Sequence, residues 1–156
     1  MTRRLLAASL ACGLLYTLPA AAQFQKPEDA IKYRQSALTV MSNHLGRVGA
    51  MAAGRAPYDA KVAADNVTIV LAMSKLPWVA FGTGTEKGLP NRAKSEIWSD
   101  SARYMGLADK MQAEIVKLDA AAKTGSLDAI KTAIGGVGAS CKACHDDFRA
   151  EKYSAN

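Results

Sequence analysis

Residues 126–148 read Ser126-Leu127-Asp128-Ala129-Ile130-Lys131-Thr132-Ala133-Ile134-Gly135-Gly136-Val137-Gly138-Ala139-Ser140-Cys141-Lys142-Ala143-Cys144-His145-Asp146-Asp147-Phe148. Leu127, Ile130, Ile134, Val137, Cys141, Cys144, His145 and Phe148 recur at helical spacing and form one face. Ser126 suits the N-cap, and Gly125 before it suits the end of a preceding helix. Each of Gly135, Gly136 and Gly138 weakens a helix by about 1 kcal/mol relative to Ala. Three of them imply a close approach by a neighbour or a local kink.

The same period extends backwards. Ser95 opens a helix whose face runs through Ile97, Trp98, Ala102, Met105, Ala108, Met111, Ile115, Leu118 and Ala122. Asp59 to about Leu76 carries Val62, Asn66, Ile69, Val70, Met73 and Leu76. Glu28 to Ala53 carries Ile31, Leu38, Met41, Leu45, Val48 and Ala52, with Pro27 at its first position and Gly54 after its end. Residues 77–94 hold Pro77, Gly82, Gly84, Gly88 and Pro90 and read as a loop carrying Trp78 and Phe81. No stretch alternates with period two. The expectation is an all-α, antiparallel four-helix bundle over residues 23–156.

The 156-residue chain is 49% hydrophobic and 22% charged, which excludes a disordered chain and suits one domain. Before the bundle, Arg3 and Arg4 precede an apolar run from Leu5 to Leu18, then Pro19 and the small residues Ala20-Ala21-Ala22. Residues 1–22 therefore read as a secretory signal peptide, too short in its apolar part to span a membrane. Cys12 as a lipoprotein site and Arg3-Arg4 as a twin-arginine signal are the weaker readings. Cleavage removes two arginines and no acid, lowering the formal charge from +6 to +4. No basic stripe with interleaved aromatics points to nucleic acid.

The mature chain keeps two cysteines, Cys141 and Cys144, followed at once by His145. Cys-x-x-Cys-His is the attachment signature of a c-type haem. Two thiols three residues apart share a helix face and reach the two vinyl groups along one porphyrin edge. The adjoining imidazole can then coordinate the iron. A dithiol redox pair fits less well, because such pairs sit at helix N-termini and this motif lies deep in its helix. A structural zinc site wants four ligands, and His44 is the one other imidazole. Thioether formation needs reduced thiols on an accessible chain, which favours export in the unfolded state.

With this motif on the last helix, the chain resembles the class II c-type cytochromes, the cytochromes c′, as found in denitrifying proteobacteria. The resemblance covers residues 23–156. It rests also on Gln23 to Ala30, Tyr33 to Leu38, Leu76-Pro77-Trp78, Phe81-Gly82, Glu96 to Asp100 and Val137 to Ser140. Gly84 to Ser95 matches least, and the resemblance leaves haem contacts from it open. The resemblance implies one covalent haem c, held by Cys141 and Cys144 with His145 as axial ligand. It implies Leu38 over the opposite face, a five-coordinate iron open to NO and CO, a periplasmic location and a homodimer through the first two helices. It places Arg34 and Gln35 at the haem propionates and Arg149 beside His145, with a basic surface role for Arg34 as the alternative. Trp78 and Phe81 are expected to line the pocket.

Met41, one turn beyond Leu38, reads first as core. It is also the candidate sixth ligand of a rival, low-spin electron-transfer cytochrome. His44 falls off the stripe and is expected at the surface. An enzyme, such as a peroxidase, fits poorly, since peroxide chemistry wants a distal general base and the Leu38 face has none. Binding and electron transfer are the functions expected, with the redox partner open.

Overall fold

The computed structural model describes residues 23–154. The signal-peptide reading of residues 1–22 lies outside them. Helix α1 spans Pro27–Ala52, α2 Ala60–Met73, α3 Glu96–Ser99, α4 Ser101–Lys123 and α5 Leu127–Phe148. No helix among the described residues is long and apolar enough to cross a membrane.

The ends follow local chemistry. Pro27 opens α1, with Glu28 and Asp29 in its first turn against the positive end of the helix dipole. Asp59 caps α2 by accepting the Val62 N–H at 2.9 Å, and Ser126 caps α5 by accepting that of Ala129 at 3.2 Å. Gly54 and Gly125 follow α1 and α4 at φ 69° and 70°, the left-handed conformation that reverses the chain. Gly125→Ala is therefore expected to cost about 1 kcal/mol, read as a lower urea midpoint with an unchanged slope.

Two sequence expectations need correction. Residues 77–94 are not all loop, because Pro77–Ala80 forms a 3₁₀ turn. Pro77 has no N–H to continue α2, and the Trp78 indole N–H instead donates to the Ser74 carbonyl at 2.6 Å. The third helix is not continuous either. Asp100, at φ −126° and ψ 49°, separates α3 from α4. The buried face nevertheless keeps its period across the break: Tyr104, seven residues after Ile97 and four before Ala108, is buried, whereas Ala102 and Met105 are exposed.

α1 with α2, and α4 with α5, are joined by short connections and pack as antiparallel pairs, while α2 closes against α4. The α3–α4 unit counts as one, so the architecture is a four-helix bundle. Val48, Ala63, Val67, Val70, Ile115, Leu118, Ile130 and Val137 form its dry centre. α5 runs unbroken, so the glycines make no kink. A Cβ at Gly136 would meet only the flexible end of the Glu114 side chain of α4, and Gly135 and Gly138 face open space, so no backbone approach within the chain requires any of the three.

His44 is not simply a surface residue. It is half-buried, and its Nδ1 lies 2.8 Å from the Oδ1 of Asn66. Asn66 Nδ2 donates to the Val62 carbonyl at 2.7 Å, so the His44 Nδ1–H is the donor of the pair. This pair joins α1 to α2 and keeps the buried amide satisfied.

Candidate haem site

Where α1 and α5 draw apart, they leave a cavity of about 590 Å³. All nine residues singled out in the sequence line it: Arg34, Gln35, Leu38, Trp78, Phe81, Cys141, Cys144, His145 and Arg149. Met41 lines it as well, while His44 does not.

α5 supplies one wall. Cys141 and Cys144 are half-buried free thiols one turn apart. Burial raises the pKa of both, and that of Cys144, which also feels Cys141 and Asp147, is pushed up to about 11. Both stay protonated at neutral pH, unlike the activated thiolate of a redox dithiol. Burial, with Arg149 and Arg92 nearby, lowers the His145 pKa and favours the neutral imidazole that a metal needs. Among the described residues no cluster of three or more His, Cys, Asp or Glu could hold a metal ion, so the zinc reading finds no ligand set.

α1 supplies the facing wall, with Leu38, Met41 and Leu45. One turn before Leu38, Arg34 is 2% exposed, which removes the surface role kept open for it. Its guanidinium donates to the carbonyl of Ala80 and to both Oγ1 and the carbonyl of Thr85, each at 2.9 Å. It lies 4.4 Å from the Phe81 ring centroid and 5.5 Å from that of Trp98. Burial lowers its pKa to about 10, and it forms no ion pair among the described residues. A buried cation without a carboxylate leaves a place for an anion entering the cavity.

The inner end is aromatic. Tyr104 packs edge-on to Trp78, Phe81 and Phe148 at centroid distances of 5.8, 5.1 and 5.3 Å. The sequence reading missed Tyr104 because it followed the row Trp98, Ala102 and Met105 instead of the adjacent Ile97–Tyr104–Ala108 stripe. It also missed the loop. Pro90, Asn91, Arg92 and Ala93 all line the cavity. Their shape comes from distant backbone: Ala93 bridges Arg149, the Ala150 N–H donates to the Arg92 carbonyl at 2.8 Å, and the Ser154 N–H donates to that of Asn91 at 2.8 Å. Asn91, 3% exposed, braces the turn by donating to the Leu89 carbonyl and accepting the Ala93 N–H. Tyr153 borders the mouth, with Arg92 5.9 Å from its ring centroid. Local pattern gives no hint of these long-range pairings.

Two thiols and a neutral imidazole on one apolar wall, with Arg34, Arg92 and Arg149 on the lining, are a donor set that fits a haem. The family model described as Cytochrome C' matches residues 29–149. The chain belongs to the cytochrome c′ family. A cytochrome c′ of Rubrivivax gelatinosus is 58% identical over 127 residues, covering 81% of this chain and 98% of that protein. Its crystal structure superposes with a TM-score of 0.79 at 57% identity over 81% of this chain and 99% of that one. A nitric oxide complex of a leucine-to-alanine mutant of cytochrome c prime from Alcaligenes xylosoxidans superposes with a TM-score of 0.78 at 52% identity, covering 83% and 100%. As a cytochrome c′, the chain carries one covalently bound c-type haem.

Proposed function

We propose that Cys141 and Cys144 carry the haem through thioethers, that His145 is the iron's axial ligand and that Leu38 covers the opposite face without donating to it. The protein is then a periplasmic, five-coordinate haem protein that binds NO and CO and passes electrons, with no catalytic turnover of its own. The observation that carries this reading is the shared cavity, which brings the three residues of the attachment motif onto one wall and Leu38 onto its lining. The nitric oxide complex of the Alcaligenes relative supports the choice of ligand.

When bound, the haem supplies an iron that accepts an electron and a diatomic ligand. The chain's own residues do the rest. Leu38, Leu45, Trp78 and Met111 keep water away from the open position. Arg34 and Gln35 would offer their remaining N–H donors to the propionates of a bound haem, and Arg149 would add positive charge near His145. Exposed Val40 on α1 and Val62 on α2 suit a homodimer through the first two helices. Export through residues 1–22 places the mature chain in the periplasm, beginning at Gln23.

A second reading has one observation in its favour: Met41, a thioether, lines the same cavity. It would make the iron six-coordinate. Absorption spectra of the oxidised, reduced and CO-treated protein separate the two. High-spin, five-coordinate ferrous haem that takes up CO is the expected result, and a low-spin spectrum in both oxidation states would overturn Leu38 as the cover. Met41→Ala is expected to leave the ligand-free spectra unchanged. Conversion from low to high spin in that variant would identify Met41 as the ligand.

A further inference from the structure

Most polar side chains on the cavity wall are already engaged. Arg34 is held by Ala80 and Thr85, Gln35 by the Pro90 carbonyl at 3.0 Å, and Arg92 by the Ala150 carbonyl at 2.6 Å. The Trp78 indole is taken by Ser74, and Asn91 by its own loop. Tyr104 differs. It is 5% exposed and lines the cavity, yet its hydroxyl has no hydrogen-bond partner among the described residues. Among the described residues no fully enclosed side-chain nitrogen or oxygen is left without a partner, so the phenol oxygen keeps a small accessible surface. Buried tyrosines usually satisfy their hydroxyl. This one is clamped between Trp78, Phe81 and Phe148, and it shares its α4 face with Leu107, Ala108 and Met111, which also line the cavity. Strong burial raises its pKa, which keeps the phenol a donor.

We propose that Tyr104 donates a hydrogen bond to the diatomic ligand held in this cavity, and so sets which ligands stay bound. The Leu38 wall sorts ligands by size and polarity. An unpaired hydroxyl, near the Arg34 guanidinium and the Cys144 thiol in a largely apolar wall, adds a second criterion, a terminal atom with a lone pair to offer. This rests on the five-coordinate reading above, since only an open iron holds such a ligand.

The test is Tyr104→Phe in the haem-loaded ferrous protein with CO. Phe fills the same aromatic cage, so haem content and far-UV circular dichroism should match the parent. The C–O stretching frequency is expected to rise, because a donor at the oxygen lowers it. CO should dissociate about three- to tenfold faster, the worth of roughly one neutral hydrogen bond. An unchanged stretch together with an unchanged dissociation rate would overturn the role of Tyr104 and leave the five-coordinate reading intact. A parent protein that takes up no CO would overturn both.

Discussion

A chain carrying Cys141→Ser and Cys144→Ser, made alongside working haem-attachment machinery, is expected to be exported without covalently bound haem. A serine hydroxyl does not add to a vinyl group as a thiol does, so neither thioether forms. Intact mass should equal that of the polypeptide alone, and any colour should pass into acidified acetone. Each single variant keeps one thioether and should retain haem in reduced yield. The double variant should also be far less stable. The bundle leaves about 590 Å³ open between α1 and α5, where these helices touch little. Without the porphyrin, the side chains of that space lose their packing partner, and the stabilisation from a ligand bound only by the native state disappears. At this chain length each kcal/mol lost lowers Tm by about 3–5 °C. A double variant whose haem resists extraction, with unchanged mass and Tm, would refute the thioether assignment.

The parts of this site that lie on regular helices were legible in the sequence. Cys141, Cys144, His145 and Leu38 sit on long periodic segments, where position along the chain fixes direction in space. Arg34 carried a signal as well. It lies three residues after Ile31 and four before Leu38, on the apolar face, so a buried guanidinium follows from the helical period alone. Asn66 was the same kind of clue. A polar residue on a buried stripe needs a partner, and His44 across the α1–α2 seam is that partner.

What was not legible depends on breaks and on distant backbone. Asp100 interrupts the third helix, and its only local sign is a run of N-cap residue types, Ser99-Asp100-Ser101, inside a continuous apolar period. Tyr104 itself was legible, since it lies seven residues after Ile97 and four before Ala108 on the apolar stripe. Residues 90–93 take their shape from the chain's last residues, in the Ala93–Arg149 bridge and the Ser154–Asn91 hydrogen bond. Pairings separated by some sixty positions leave no mark on local periodicity. The loop that matched its relatives least is nevertheless part of the cavity wall.

Arg34→Met should be strongly destabilising. Met replaces the guanidinium with a flexible apolar chain, so packing alone does not decide the outcome. Three hydrogen bonds of 2.9 Å are lost, two of them to the carbonyls of Ala80 and Thr85. Thr85 Oγ1 partly covers Ala80, at 3.3 Å, but the Thr85 carbonyl keeps no other partner among the described residues. Against this loss stands the relief of not burying a cation. That cost is real, since burial lowers the Arg34 pKa to about 10. The sign follows directly. A base with a lowered folded-state pKa binds fewer protons folded than unfolded between its folded and unfolded values, so in the haem-free chain its burial opposes folding at neutral pH and the penalty fades as pH rises above about 10. A haem propionate beside Arg34 would offset that penalty, leaving the lost hydrogen bonds to dominate. In the haem-loaded protein we therefore expect a net cost of about 2–4 kcal/mol by urea unfolding. The segment from Ala80 to Thr85, no longer tied to α1, should exchange its amide protons faster at the same time. A loss below about 0.5 kcal/mol with unchanged exchange would show that Arg34 does not anchor this segment to α1.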